Sequence, residues 1–260
     1  MKVGLFIPCY IDQFYPKVGI ATLELLEKLG CEVSYPLSQT CCGQPMANSG
    51  CEQEGVGVYK NFVELFSDFD YTVMPSGSCA YHVKKHYNII EQTPAVEKVR
   101  KSVYELTDFM TNVLKINTLQ GSFPHKVGLH LSCHGQRGLR NANASEITSV
   151  CDGQISRLLK TVKGLELTTL DRNDECCGFG GTFCVTEEAV SARMGIDRVA
   201  DHIKNGTEIL TGGDTSCLMH MEGIIRRQNL PTKVMHIAEI YNEILSSDPK
   251  KFIGINLVTL

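Results

Sequence analysis

No stretch of this 260-residue chain approaches the roughly 20 consecutive apolar residues that a membrane-spanning helix needs, so no transmembrane segment is expected. Low-complexity tracts and long runs of like charge are also missing, which excludes a chain organised around disorder. Basic residues are not in excess: 25 Lys and Arg stand against 29 Asp and Glu, and a net charge of -4 offers no footprint for neutralising phosphates. Nucleic acid is therefore not an expected partner. The opening segment Met1 to Tyr10 has an apolar run too short for a secretory signal and ends in Pro8-Cys9 without a small-residue cleavage site. A soluble, cytoplasmic protein is expected.

Cysteine is abundant, with 12 in the chain. In a secreted protein that density would suggest disulfides, but in a reducing compartment it points to metal binding or redox chemistry. Eight of the cysteines form two matched sets: Cys9, Cys41-Cys42-Gly43 and Cys79, then Cys133, Cys176-Cys177-Gly178 and Cys217. The flanking text repeats as well. Lys2-Val3-Gly4-Leu5 precedes the first set and Lys126-Val127-Gly128-Leu129 the second, while Cys79 and Cys217 are each followed three positions on by histidine, His82 and His220. The pattern is that of an internal duplication, with units expected at 1–122 and 123–260.

Apolar runs alternate with helical periodicity, which predicts an α/β fold: two duplicated Rossmann-like units with parallel sheets and the cysteines at the carboxyl ends of the strands. Strands are expected near 2–8, 32–36 and 70–75, with helices over Pro16 to Leu29 and 53–67. The second half should copy them, with strands near 126–132, 165–170 and 207–211 and helices over 144–160 and 186–204, followed by a strand near 233–236 and a helix through Leu245. Pro16 suits a first helical turn and Gly30 a left-handed stop; Ile20, Leu23, Leu26 and Leu29 read as that helix's core face. Ser78 and Ser216 are candidate N-caps, which would put Cys79 and Cys217 in a first turn, where the dipole favours thiolate.

Four thiolates can hold zinc or an iron–sulfur cluster. Structural zinc sites are normally built from close pairs, whereas the gaps here are 31, 0 and 36 residues and then 42, 0 and 39. Neighbouring side chains of an extended segment point to opposite faces, which suits several separated irons better than one small ion. Gly43 and Gly178 would let the backbone turn and aim amide hydrogens at sulfur. Metal-free thiol chemistry is a third option, since vicinal cysteines can form a strained, reducible ring, but it leaves Cys9 and Cys79 unexplained.

This double pattern resembles the cysteine-rich domain shared by heterodisulfide reductase and the iron–sulfur subunits of glycolate and glycerol-3-phosphate oxidising complexes. Longer motifs narrow the likeness. Phe14-Tyr15-Pro16, Gln39-Thr40-Cys41-Cys42-Gly43-Gln44-Pro45, Pro75-Ser76-Gly77-Ser78-Cys79, Cys176 to Phe183, Gly212-Gly213-Asp214 and Cys217-Leu218-Met219 resemble the lactate-utilization protein A family along almost the whole chain. The resemblance implies an iron–sulfur electron-transfer subunit of a complex oxidising L-lactate to pyruvate, beside a ferredoxin-type iron–sulfur subunit and a third small subunit. It implies iron–sulfur clusters, expected as [4Fe–4S] with one per half, held by Cys9, Cys41, Cys42 and Cys79 and by Cys133, Cys176, Cys177 and Cys217; zinc is the alternative occupant. In the heterodisulfide reductase relatives the last cysteine of each set begins a Cys-x-x-Cys pair. Here the partner is His82 or His220, which bears on cluster type because the noncubane clusters of those relatives use the extra thiolate. A disulfide-reducing subunit and a zinc-stabilised scaffold are the competing functions.

His82 and His220 are candidate ligands, weighed against hydrogen-bond donors beside the metal or exposed helix residues. Cys31 and Cys151 are expected to serve packing, and so are Cys51 and Cys184, weighed against a place near a cluster because they follow their cysteine pairs by 9 and 7 positions. His134, Arg137 and Arg140 could meet a carboxylate or an acidic partner, although a solvated face is the simpler account. Gly178-Phe179-Gly180-Gly181 lacks the full dinucleotide fingerprint, so no nicotinamide or flavin site is expected, and no catalytic base or hydride acceptor is identified.

Overall fold

The repeated Lys-Val-Gly-Leu segments become equivalent strands of two sheets in a computed structural model that describes residues 1–144 and 152–246. In the first sheet β1 (Lys2–Leu5), β2 (Glu32–Ser34), β3 (Tyr71–Met74) and β4 (Val103–Glu105) lie in the order β2-β1-β3-β4. In the second, β5 (Lys126–His130), β6 (Glu166–Leu167), β7 (Ile209–Gly212) and β8 (Lys233–His236) lie in the order β6-β5-β7-β8. Every pairing is parallel. The chain therefore reverses its winding between β1 and β3, and again between β5 and β7, and such switch points open crevices at the carboxyl edge.

The first half carries helices α1 (Cys9–Phe14), α2 (Pro16–Lys28), α3 (Gln44–Asn48), α4 (Val56–Phe66), α5 (Gly77–His86), α6 (Pro94–Ser102) and α7 (Leu106–Asp108). In the second half are α8 (Gln154–Leu159), α9 (Phe183–Thr186), α10 (Glu188–Lys204), α11 (Thr215–Arg227) and α12 (Ile237–Ser246). Among the described residues no helix is long and apolar enough to cross a membrane.

Several sequence expectations change. Strand β4, the first-half counterpart of β8, is only three residues long, too short to show a period; α1 follows Pro8 in a stretch with no apolar stripe. The helix expected over 144–160 begins at Gln154, because Ala142 and Gly153 pair as an isolated bridge; Cys151 and the rest of 145–151 lie outside the described residues. On α2 the buried face is Val18, Ala21, Thr22, Leu25 and Leu26, whereas Ile20 is 56% exposed: steps of three drift off the 3.6-residue period.

Helix α12 packs its buried Ile240, Tyr241 and Ile244 into a core that also contains Leu25 and Leu26 of α2, Val3 and Val73 of the first sheet and Val127 and Ile209 of the second. One core thus spans both halves. Polar bonds seal the helix seam, with Lys28 Nζ donating to Asn242 Oδ1 at 2.6 Å and Asn242 Nδ2 to Glu24 Oε2 at 2.6 Å. Phe6 and Met74 support a separate aromatic cluster of Tyr59, Phe62, Phe66 and Tyr87. Its second-half counterpart is smaller, built around Cys177, Val199, Leu210 and Leu218, and close by lie the buried polar residues His130, Arg198 and His202.

Candidate metal centre

Each motif cysteine stands past the carboxyl end of a strand. Cys9 opens α1 just beyond β1, and Cys41-Cys42 follows β2 in an irregular segment that ends at Gly43, φ +88°. Cys79 lies in the first turn of α5, and Cys217 in that of α11. The N-cap of α5 is Ser76, whose Oγ accepts from the Cys79 amide at 3.2 Å, and not Ser78. Asp214, not Ser216, has the corresponding place before α11, but its carboxylate is turned elsewhere. Both helices start two residues earlier than the serine pattern suggests, because the extended residue that leaves the strand takes the N-cap position.

The four sulfurs of the first half meet as a chain: Cys9 to Cys41 is 3.8 Å, Cys41 contacts Cys42, and Cys42 to Cys79 is 3.3 Å. In the second half Cys133, Cys176, Cys177 and Cys217 are joined in the same order. Adjacent cysteines therefore do face one pocket. The expected alternation fails because the pair is not in a strand; the left-handed glycine after it folds the backbone back, so that the Gly43 amide donates to Cys41 Sγ at 3.4 Å and the Gly178 amide to Cys176 Sγ at 3.4 Å. A Cβ at Gly43 would sit 2.3 Å from Tyr59 Cε1, and one at Gly178 2.6 Å from the Ser191 carbonyl oxygen.

Hydrogen bonds from Cys42, Cys9 and the Gly43 amide hold the Cys41 thiol far below its ordinary range, and Cys133, Cys177 and Gly178 do the same for Cys176. Cys9 is pushed up by its bond to Cys41 and then by burial, and Cys133 likewise by Cys176; Cys42 is pushed up by its bonds to Cys41 and Cys79 and then by burial, and Cys177 likewise by Cys176 and Cys217. Each quartet thus favours thiolate at one inner cysteine, the form in which sulfur binds metal.

The two quartets share one cleft of about 380 Å³, lined by all eight cysteines together with Tyr10, Gln44, His134 and Phe179. Matched positions touch across it. Ser76 and Asp214 form an isolated antiparallel bridge, as equivalent residues do about a twofold axis, and Asp214 Oδ1 accepts from Ser76 Oγ at 2.9 Å and from the Ser78 amide at 3.0 Å. Its Oδ2 accepts from Ser132 Oγ. A larger depression of about 580 Å³ lies at the amino ends of β5, β7 and β8 and holds none of the motif cysteines.

The two histidines singled out by sequence are not equivalent. His82 is buried beside Cys41, and its Nε2 has no hydrogen-bond partner among the described residues; burial and the neighbouring His86 lower its pKa to about 3. His220 is half-buried, with Nε2 3.2 Å from the Ser191 carbonyl oxygen. Sequence reasoning missed His130. Its ring and the sulfurs of Cys177 and Cys217 bring three donor atoms within 4.8 Å of one another. The available signal was its register: it occupies in the second half the position of Phe6 in the first.

Among the remaining cysteines, Cys31 is in the core as expected, while Cys51 is exposed and Cys184 is half-buried with Sγ 3.0 Å from the Gly181 carbonyl. His134 lines the cleft, 3.5 Å from Gln44 Nε2, and Arg137 pairs with Asp174 at 3.3 Å.

The family model "Cysteine-rich domain" (CCG) matches residues 3–84 and again 127–222. Lactate utilization protein A of Bacillus licheniformis is 43% identical over 246 residues, covering 93% of this chain and 99% of the relative. That of Bacillus subtilis is 40% identical over 248 residues, with the same coverage. The chain belongs to the lactate utilization protein A family. A crystal structure of a hypothetical protein from Helicobacter pylori superposes with a TM-score of 0.63 at 13% identity, over 97% of this chain and 50% of that one. It shares the fold with this lactate utilization protein A relative and says nothing of its chemistry.

Proposed function

We propose that the chain is the iron–sulfur electron-transfer subunit of a lactate-oxidising system, with one cluster in each quartet. The observation that carries this reading is the single cleft onto which both sets of four sulfurs open, in a chain whose relatives are named for lactate utilization. The donor set fits the group. A single zinc ion, with bonds of about 2.3 Å, would draw its ligands into a compact tetrahedron. Among the described residues the donors lying mutually within 4.8 Å are those of His130, Cys177 and Cys217, and each quartet is an open chain of sulfurs, which suits a group with several separated irons.

Cys9, Cys41, Cys42 and Cys79 would hold one cluster, and Cys133, Cys176, Cys177 and Cys217 the other. Such a group accepts and releases single electrons when bound. The protein's own residues keep thiolates at Cys41 and Cys176, aim the Gly43 and Gly178 amides at them, and bring the two pockets to one opening. Hydride removal from lactate, giving pyruvate, would then fall to partner subunits, with a ferredoxin-type iron–sulfur subunit and a third small protein as the expected companions.

Anaerobic purification, with iron, sulfide and zinc counted per chain and electron paramagnetic resonance before and after reduction, tests the cofactor. Iron and sulfide in both halves are expected, and Cys42→Ser should lose about half of the iron. Zinc in place of iron, or a metal-free chain under those conditions, would overturn the assignment. For the pathway, deleting the gene should abolish growth on L-lactate, restored by the wild type but not by Cys42→Ser.

A further inference from the structure

The two quartets match in spacing but not in what lies behind them. Phe6 is buried in the first-half aromatic cluster, with Phe62 and Phe66 edge-on to its ring. At the equivalent position His130 is equally buried, and a ring nitrogen lies within 4.8 Å of the Cys177 and Cys217 sulfurs.

Arg198 decides which ring nitrogen carries the proton. Its Nε donates to His130 Nδ1 at 3.2 Å, and a guanidinium has donors only, so Nδ1 is bare and the neutral ring holds its hydrogen on Nε2. Arg198 is itself fixed, fully buried, by the Arg172 and Asn173 carbonyls and by the Asp201 carboxylate at 3.3 Å. A metal-bound histidine presents a bare nitrogen to the ion and donates its other N–H outward. Here Nδ1 accepts from Arg198, which leaves Nε2 as a donor and no bare ring nitrogen to ligate.

We infer that His130, oriented by Arg198, donates its Nε2 hydrogen to the sulfurs of Cys177 and Cys217 and holds the second centre at a higher reduction potential than the first. This inference rests on the iron–sulfur reading. Hydrogen bonds to cluster sulfurs and nearby positive charge stabilise the reduced, more negative state. The hydrogen bond acts on the second quartet, and the Arg198 charge, partly offset by Asp201, adds to it. In the first half the apolar Phe6 stands where His130 would be, and His82 beside Cys41 packs on the rings of Tyr59 and His86, with no Lys or Arg hydrogen-bonded to it among the described residues. The Gly43 and Gly178 amide bonds are matched, so they do not cancel the difference. One electron leaving the first centre therefore runs downhill to the second across the shared cleft.

The test is a redox titration of the anaerobically reconstituted chain, followed by electron paramagnetic resonance, with iron and sulfide counted. Two separate midpoint potentials are expected in the wild type. In His130→Phe, which copies Phe6, the upper potential should fall towards the lower at unchanged iron content, and His130→Gln, which keeps a side-chain N–H, should retain most of the gap. With the upper centre alone reduced in ¹⁵N-histidine-labelled wild type, a weak nitrogen coupling is expected; this readout needs no substitution. Equal wild-type potentials, an upper potential that does not move in His130→Phe, or the strong coupling of a directly bound imidazole would each overturn the inference. A wild-type chain that takes up no iron and sulfide would instead remove the iron–sulfur reading itself.

Discussion

Asp214 is the polar joint between the halves: its carboxylate accepts from Ser76 Oγ, the Ser78 amide and Ser132 Oγ while 2% exposed. Cutting it back leaves the Ser78 amide and Ser132 Oγ without this acceptor, while Ser76 Oγ keeps Ser78 Oγ at 3.2 Å. Asp214→Ala should therefore cost about 3 kcal/mol in urea unfolding, and Asp214→Asn, which keeps one acceptor oxygen, clearly less. An unchanged urea midpoint in Asp214→Ala would mean that the joint carries no stability. The sequence marked Asp214 only as part of the Gly212-Gly213-Asp214 motif. Its partners lie 82 to 138 positions away, and no local pattern reports a pairing at that range.

The connection from β6 to α10 shows what an element can impose on a turn. Gly178 has φ +89°, and a Cβ there would press on the backbone of α10 at Ser191 as well as on Met194; at Gly43 the obstacle is the ring of Tyr59 on α4. A ring can shift, but helix backbone cannot do so cheaply. Gly178→Ala should thus lose nearly all second-half metal, while Gly43→Ala loses less from the first half, as iron counts per chain would reveal. Equal losses would show that the left-handed conformation matters and the packing does not. The long helices α2 and α10 were legible: α2 begins at Pro16 and gives way to the left-handed Gly30, and α10 ends at Lys204 as its periodicity indicates. The three-residue β4 and the six-residue α1 were not, because a period needs more repeats than they contain.

Buried ionisable groups give the whole molecule a defined response to pH. Burial raises the Glu105 pKa to about 8, so the native carboxyl keeps its proton where the unfolded chain, near 4.5, has lost it. The unfolded state then binds fewer protons, and this group's contribution to stability falls as pH rises from about 4.5 to about 8, by at most on the order of 5 kcal/mol. Burial lowers His236 to about 4 and His202 to about 2. Their sign is opposite: below about pH 6.5 the unfolded chain takes protons that the native chain refuses, so stability is lost on acidification. Glu105→Gln should accordingly gain stability over the wild type progressively between pH 5 and 8 in urea titrations, with little difference at pH 4.5. A difference that does not vary with pH would show that Glu105 is ionised in the native chain.

The repeat of Lys-Val-Gly-Leu, the two Cys-Cys-Gly motifs and the alternation of apolar runs determined the duplicated parallel α/β architecture and singled out eight cysteines, because strand, turn and helix preferences act over a few neighbouring residues. Tertiary structure alone decided that both quartets open onto one cleft, that Asp214 reaches across to Ser76, and that His130 stands behind Cys177 where Phe6 stands in the first half. Those relations come from packing one copy of a repeat against the other. Identical local patterns cannot encode how two copies face each other, nor which of them receives the buried charge.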